Sequence, residues 1–308
     1  RLEDMTPCIA CLQGCVANMY AGNPVCCLTN PFLGHEAEPL EKAEEPKKVM
    51  VIGGGVAGLS AAFIAKERGH EVTLYEAGDV LGGNMRLAAY PPGKGDITNM
   101  IRSYIHRCQK DGVKIVMNCE ATPELIKEEK PDSVIIATGS RTLILPIEGI
   151  DNPAIIHGSD LLDGKRPAGK KVLVVGGGMV GCETAAFLGE QEHDVTVIEF
   201  RDTVGADVIH EHRVYLMKDF EDYGIKEITG AKVCKFYEDG VEYETADGVR
   251  HETRGYDSVI LSMGFSNYNP LEEKIKDLVP EIHVIGDAIR ARRALDATKE
   301  AYEVASRI

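Results

Sequence analysis

The chain has 308 residues, with 34 Lys+Arg against 49 Asp+Glu and a net charge of −15 at pH 7. So acidic a balance, relieved by no long basic run, repels phosphate backbones and anionic lipid heads, and it argues against nucleic acid and membrane surfaces as partners. Hydrophobic residues at 44% and charged residues at 27% fit a chain with a sizeable core, of a length that suggests two domains.

No apolar run approaches the roughly 18 to 20 residues a membrane helix needs, and the N-terminus lacks the basic and apolar regions of a signal peptide. The expectation is a soluble, cytoplasmic protein. Because the sequence opens at Arg1 in charged residues resembling the end of a linker, a piece of a longer polypeptide is expected.

Residues 1 to about 35 come first, and they are crowded with Cys8, Cys11, Cys15, Cys26 and Cys27. The other four of the nine cysteines, Cys108, Cys119, Cys182 and Cys234, are scattered and read as core. An odd, bunched set favours a metal site over disulfides. In Cys8-x2-Cys11-x3-Cys15-x11-Cys27, three thiolates within eight residues can wrap one face of a [4Fe-4S] cube while a fourth closes it from beyond a loop. Zinc is the alternative, although zinc ribbons usually present two separated C-x2-C knuckles. By spacing alone Cys26 could replace Cys27. The charged, Pro-containing stretch from His35 to Lys48 then reads as a connector.

Two segments that follow align without a gap at an offset of 123 residues: KKVMVIGGGVAGLSAAFIAKERGHEVTLYEA from Lys47 and KKVLVVGGGMVGCETAAFLGEQEHDVTVIEF from Lys170. Each reads as a buried parallel strand, a glycine turn, a helix and a second strand. Between them, Asp96–Asp111 is predicted helical, Val113–Met117 and Ser133–Ala137 are predicted strands, and Pro146–Pro153 a crossover. The second unit runs to about Leu261, after which Ile282–Ile285 is predicted as a strand and Leu295–Ile308 as a closing helix. That ending suggests a return to the first domain, with the second as an insertion.

In the first unit, Gly53 permits the tight turn, Gly55 lets the backbone approach a pyrophosphate, and Gly58 allows close helix–strand packing. Glu76, ending the next strand, can accept hydrogen bonds from an adenosine ribose. Gly176, Gly178, Gly181 and Glu199 repeat the device. A carboxylate at the ribose position repels a 2′-phosphate, which predicts NADH over NADPH, with Arg201 as a countervailing charge. Two such units suggest FAD in one and a nicotinamide nucleotide in the other.

The chain resembles the two-dinucleotide-binding-domain flavoproteins. The likeness rests on the first fingerprint, the Gly82-Gly83-Asn84 turn, the Ala137-Thr138-Gly139 strand end and Gly286-Asp287, and it spans residues 47–308. The resemblance implies FAD at the first fingerprint and Asp287 on its ribityl-pyrophosphate part. It also implies contacts from Ala57, Gly83, Asn84 and Ala121, places Leu295–Ala297 near the isoalloxazine, and adds Gly264 to the cofactor-binding set. It further implies an α/β fold of two Rossmann-like domains, glutathione-reductase-like, preceded by a short iron-sulfur segment. The expected boundaries are 1–46 (iron-sulfur segment and linker), 47–154 and 266–308 (FAD domain) and 155–265 (NAD domain). Disulfide reductases of that superfamily need a redox cysteine pair beside the flavin, yet GGNMRLAAYPPGKG contains no Cys and Cys182 has no partner nearby in sequence.

EDMTPCIACLQGC, then CLTNP, then His35-Glu36, followed by both nucleotide units, resembles the 2,4-dienoyl-CoA reductase and 2-enoate reductase family, related to trimethylamine dehydrogenase and the bile-acid-inducible NADH:flavin oxidoreductases. By that resemblance the cluster ligands fall on Cys8, Cys11, Cys15 and Cys27. It also implies that NAD(P)H reduces FAD, that the cluster relays single electrons, and that FMN in an N-terminal barrel, absent from this chain, reduces an activated C=C bond. The implied partner is an FMN-barrel domain of the same polypeptide or a separate acceptor protein, as for the small subunit of glutamate synthase; self-association is left open. No side chain is needed as acid or base for the NADH to FAD step, so no catalytic residue is assigned. A scaffold that holds ADP or FAD without turnover is the rival from another class.

Overall fold

The computed structural model describes residues 2–308, Arg1 lying outside them. The chain forms two compact units. One takes the chain to Ala89, with Lys94–Arg141 and Ser266–Ile308; the other takes Tyr90–Gly93 and Thr142–Phe265.

In chain order the elements are α1 (Val16–Tyr20), β1 (Lys48–Ile52), α2 (Val56–Glu67), β2 (Glu71–Tyr75), α3 (Asn84–Leu87), α4 (Ile97–Asp111), β3 (Lys114–Val116), α5 (Pro123–Glu129), β4 (Ser133–Ile136) and β5 (Ser140–Thr142). The inserted unit contributes β6 (Ile156–His157), α6 (Gly158–Leu162), β7 (Lys171–Val175), α7 (Met179–Glu190), β8 (Asp194–Ile198), α8 (His210–Asp222) and β9 (Lys226–Ile228). It continues with β10 (Lys232–Tyr237), β11 (Gly240–Glu244), β12 (Arg250–Thr253) and β13 (Ser258–Leu261). The return path is β14 (Phe265–Asn267), α9 (Glu272–Ile275), β15 (Glu281–Val284) and α10 (Ala294–Ala305).

Each unit is built on a five-stranded parallel sheet, in the order β15-β4-β1-β2-β3 and β6-β13-β7-β8-β9. The registers correspond as well, Val49 lying between Val72 and Ser133, and Val172 between Val195 and Ser258. Apolar runs such as Val49–Ile52 and Val172–Val175 are buried on both faces, as parallel strands covered by helices require. Since β1 and β7 each have neighbours reached in opposite directions along the chain, their C-terminal ends are switch points where a crevice opens.

Three differences from the sequence reading have physical causes. The main passage into the inserted unit falls at Arg141/Thr142, earlier than 154/155, because Ile147 and Ile150 pack with Phe236 and Val241, and Tyr90–Gly93 also belongs to that unit. Residues 1–46 do not stand apart, since Ile9 and Leu28 are buried in the same core as α2, α4 and α10. A three-stranded antiparallel meander, β10-β11-β12, which the sequence reading did not include, precedes β13, with Asp247-Gly248 turning its second hairpin.

α2 is buried over Val56–Ala65 and lacks a polar face there, so it can be covered on more than one side. Its small residues, Ala61, Ala62 and Ala65, and the Ala297, Ala301 and Ala305 stripe of α10 belong to one core. α4 is amphipathic, presenting Ile97, Met100, Ile101, Tyr104 and Cys108 inward. Cys108 and Cys182 are core residues, burial pushing both thiols up to about 12. Cys119 is half-buried and packs against the core under α5, so of the four cysteines expected in the core only Cys234, half-buried, belongs to none of the core clusters.

Tyr104 ties α4 to the cysteine segment. Its buried hydroxyl donates to the Leu28 carbonyl at 3.0 Å, with the Thr29 carbonyl at 3.3 Å. Tyr104→Phe leaves those carbonyls short of a donor and is expected to cost about 1 to 2 kcal/mol, measured as a lower urea midpoint at unchanged m-value.

Candidate functional site: two glycine turns and a cysteine segment

At the end of β1, Gly53 turns the chain at φ +108°, and a Cβ there would stand 2.3 Å from the Ala137 carbonyl oxygen. Gly58 is tighter still, its missing Cβ lying 1.9 Å from the Gly53 carbonyl oxygen. The second turn repeats both contacts, with Gly176 (φ +105°) 2.4 Å from the Ser262 oxygen and Gly181 1.8 Å from the Gly176 oxygen. Both turns therefore require glycine for backbone reasons alone. Gly55 is different. Nothing lies closer to its missing Cβ than the Gly83 Cα at 4.0 Å, which leaves room for a phosphate over the start of α2.

Glu76 accepts from the Gly54 N–H at 2.7 Å and from the Gly78 N–H at 2.7 Å, which fixes its carboxylate at the crevice mouth. Glu199 does the same with Gly177 at 2.6 Å and Arg201 at 2.9 Å. Each oxygen retains a lone pair for a ribose hydroxyl.

The residues assigned to FAD by resemblance are largely brought together. Gly83 abuts Gly55, and a Cβ on Gly286 would meet the Ala57 Cβ at 3.1 Å and the Ala297 Cβ at 3.3 Å, so three chain segments converge there. Asp287 accepts from the Ser140 hydroxyl at 2.8 Å and the Arg292 N–H at 3.0 Å. Asn84 Nδ2 lies 3.4 Å from that same hydroxyl. Ala137, Thr138 and Gly139 end β4, and the Thr138 hydroxyl donates to the Tyr268 carbonyl. Ala121 is buried with Ile52, Tyr75, Ile126 and Ala288 in the core under α5, two residues beyond Cys119, whose N–H bonds the Glu76 carbonyl at 2.9 Å. In the inserted unit Gly264 (φ +103°) follows β13, as Gly139 follows β4.

Two residues escaped the sequence reading. Ser140 joins Asn84 to Asp287, and nothing in the pattern marks a serine after Gly139. Asp207 accepts from the Met179 N–H at 2.8 Å, at the first turn of α7. The internal repeat could have found it, since Asp207 stands 123 positions after Asn84.

In the cysteine segment, Ala10 and Leu12 adopt left-handed backbone at φ +50° and +56° although neither is glycine. Such alternation turns successive N–H groups inward, a concavity suited to anionic sulfur. The Ala10 N–H points to Cys8 Sγ at 3.4 Å, and the Gln13 N–H bonds Cys11. Burial pushes the Cys11 thiol up, the Gln13 N–H opposes this, and Cys27, Cys15 and Cys8 around it push it further up. Cys26 is engaged otherwise, its Sγ 3.4 Å from Asn18 Nδ2 and its N–H on the Gly14 carbonyl. Among the described residues no three His, Cys, Asp or Glu side chains are gathered as around a single metal ion. An open groove of about 540 Å³ along α4, lined by Asp4, Lys66, Arg107 and Lys110, is charged and lies by the C-terminal end of α2, the opposite end from the first glycine turn. No helix among the described residues is long and apolar enough to cross a membrane.

Residues 47–304 match the model of the pyridine nucleotide-disulphide oxidoreductase family. The chain is 34% identical to cinnamate reductase of Clostridium sporogenes, covering 100% of this chain and 46% of that protein. It is 32% identical to a metal reductase of Desulforamulus reducens, covering 98% and 50%. Among solved structures, 2-naphthoyl-CoA reductase superposes with a TM-score of 0.95 at 33% identity, over 100% of this chain and 47% of that one. The chain thus spans about half the length of these relatives. All nine cysteines are free thiols, and none lies within either glycine turn. Two parallel-sheet units, each with a glycine turn and a glutamate bonded to its backbone, and the match over residues 47–304 place the chain in the pyridine nucleotide-disulphide oxidoreductase family, as an FAD- and NAD(P)H-binding portion akin to that of the 2-enoate reductase-type enzymes.

Proposed function

We propose that this chain is the electron-input module of an ene-reductase: it passes electrons from NADH to FAD and on to a [4Fe-4S] cluster, for delivery to an FMN barrel of the same polypeptide or to a separate acceptor. The observation that carries this reading is the placement of Cys8, Cys11, Cys15 and Cys27 in one short segment, of which Ile9 and Leu28 are buried in the core of the first dinucleotide unit. The half-length match to cinnamate reductase and 2-naphthoyl-CoA reductase supports a remaining barrel half.

When bound, FAD supplies the step from two-electron to one-electron chemistry, and the cluster supplies one-electron relay. The chain's own residues bind and orient. Gly53, Gly55 and Gly58 would bring the start of α2 to the FAD pyrophosphate, Glu76 would hold its ribose, and Asp287, fixed by Ser140 and Arg292, would bind its ribityl-pyrophosphate part. Glu199 would hold the NADH ribose and disfavour a 2′-phosphate. Cys8, Cys11, Cys15 and Cys27 would hold the cluster, with the Ala10 and Gln13 N–H groups stabilising thiolate charge.

The test is an anaerobic absorbance spectrum before and after one equivalent of NADH, with iron and acid-labile sulfide assayed on the same sample. Flavin bands that bleach, with about four irons per chain, are expected. Folded protein that has been offered FAD yet shows no flavin and no response to NADH would establish a binding scaffold instead. The same assay with NADPH should show weaker use; equal or better use would overturn the NADH preference.

A further inference from the structure

The repeat continues beyond the two fingerprints, through loops the sequence alignment did not include. Asp79-Val80-Leu81-Gly82-Gly83-Asn84 in the first unit corresponds to Asp202-Thr203-Val204-Gly205-Ala206-Asp207 in the second, at the same 123-residue offset. The backbone confirms the register: the Gly82 N–H bonds the Gly54 carbonyl at 2.8 Å, and the Gly205 N–H bonds the Gly177 carbonyl at 2.7 Å. Asn84 and Asp207 therefore occupy equivalent places, an amide in one unit and a carboxylate in the other.

Their surroundings differ in what they leave open. The Asn84 amide is directed to Ser140, and among the described residues no carboxylate is hydrogen-bonded to the Val56 N–H at the start of α2. In the second unit the equivalent N–H, that of Met179, is bonded to Asp207 Oδ1 at 2.8 Å. Asp207 Oδ2 lies 3.4 Å from where a Cβ of Gly178 would stand, so the carboxylate covers the glycine that a pyrophosphate must approach. Arg213 holds the loop in place, donating to the Thr203 hydroxyl at 2.9 Å and the Val204 carbonyl at 3.1 Å.

We propose that Asp207 is an affinity-setting residue of the nicotinamide nucleotide site: it occupies the first N–H of α7 and must yield that position, or repel across it, when the dinucleotide pyrophosphate binds. The proposal rests on the reading of the second unit as the NADH unit. A co-substrate that leaves every cycle is held less tightly by such an internal anion, whereas the first unit, with a neutral amide at the same place, suits a resident cofactor. One N–H cannot serve two anions, and an anionic side chain beside a dianionic pyrophosphate lowers affinity even through solvent.

The experiment is calorimetric titration of the full chain and of Asp207→Asn with ADP-ribose, which carries the adenosine and pyrophosphate but no reacting ring. Asn keeps the oxygen that accepts the Met179 N–H and removes only the charge; melting curves of both proteins without ligand show whether the fold is retained. Asp207→Asn is expected to bind ADP-ribose about five- to tenfold more tightly at low salt, with the gap narrowing as salt is raised and with adenosine binding alike to both. Equal or weaker binding of ADP-ribose by the variant, or an equal gain for adenosine, overturns the role of Asp207 alone. Failure of both folded proteins to bind ADP-ribose would remove the nicotinamide reading of this unit and the proposal with it.

Discussion

Gly58→Ala is expected to strip FAD from the chain and to destabilise the first unit, despite being a substitution that ordinarily strengthens a helix. Alanine in a helix interior is worth about 0.5 to 1 kcal/mol over glycine. Here that gain is overridden, because the new methyl would lie 1.9 Å from the Gly53 carbonyl oxygen and 3.4 Å from the Ala137 side chain. The obstructing atom is backbone of the turn itself and cannot rotate aside, so α2 must move off β1 or the turn must open. Overpacking of this kind costs about 1 to 3 kcal/mol and sometimes more, and the displaced helix start no longer meets the pyrophosphate. Denaturant melts and the flavin-to-protein absorbance ratio measure the two effects. Retention of full flavin content would show that the turn has slack the structure does not display. Gly181→Ala, with its methyl 1.8 Å from the Gly176 oxygen, should spare flavin content and abolish NADH binding.

The adjacent pair Cys26 and Cys27 permits a sharper test of the proposed cluster. Cys27→Ala should lower iron from about four per chain to near zero and remove the cluster's visible absorbance, while NADH still bleaches the flavin. Cys26→Ala should leave iron unchanged. The reason is the family resemblance, which puts the fourth ligand on Cys27, together with the crowding of the Cys26 sulfur by Asn18 Nδ2 at 3.4 Å and by Gly14, while the Cys27 sulfur has a hydroxyl, that of Thr29, at 3.3 Å. The opposite pattern of iron loss would reassign the fourth ligand to Cys26. Equal iron in both variants would remove this segment as a cluster site.

Much of the architecture was legible because the signals are local and redundant. The two glycine turns, Glu76 and Glu199 were found from spacing, and the return of the chain through β15 and α10 from an apolar strand and a closing helix. The helix predicted from Asp96 to Asp111 is present as α4 over Ile97–Asp111, ended by Gly112 at φ +80°. Strand β3 is shorter than the predicted Val113–Met117, since the Val113 N–H bonds the Cys108 carbonyl at the end of α4 and Asn118 turns the chain at φ +53°. The meander β10-β11-β12 escaped notice because its strands are half-exposed and carry no continuous apolar run.

Chain pattern alone suffices for the βαβ units and their glycine turns, because strand burial, turn conformation and helix start are dictated within some thirty consecutive residues. Cys26 and Cys27 are of another kind: neighbours in sequence, they acquire different surroundings only in the fold, one sulfur facing Asn18 and Gly14 and the other the Thr29 hydroxyl. The same holds for Ser140 and Asp207. Each acts on groups far along the chain, Ser140 on Asp287 and Asp207 on Met179, and a hydrogen bond of about 2.8 Å between such partners exists only once folding has set the backbone of both.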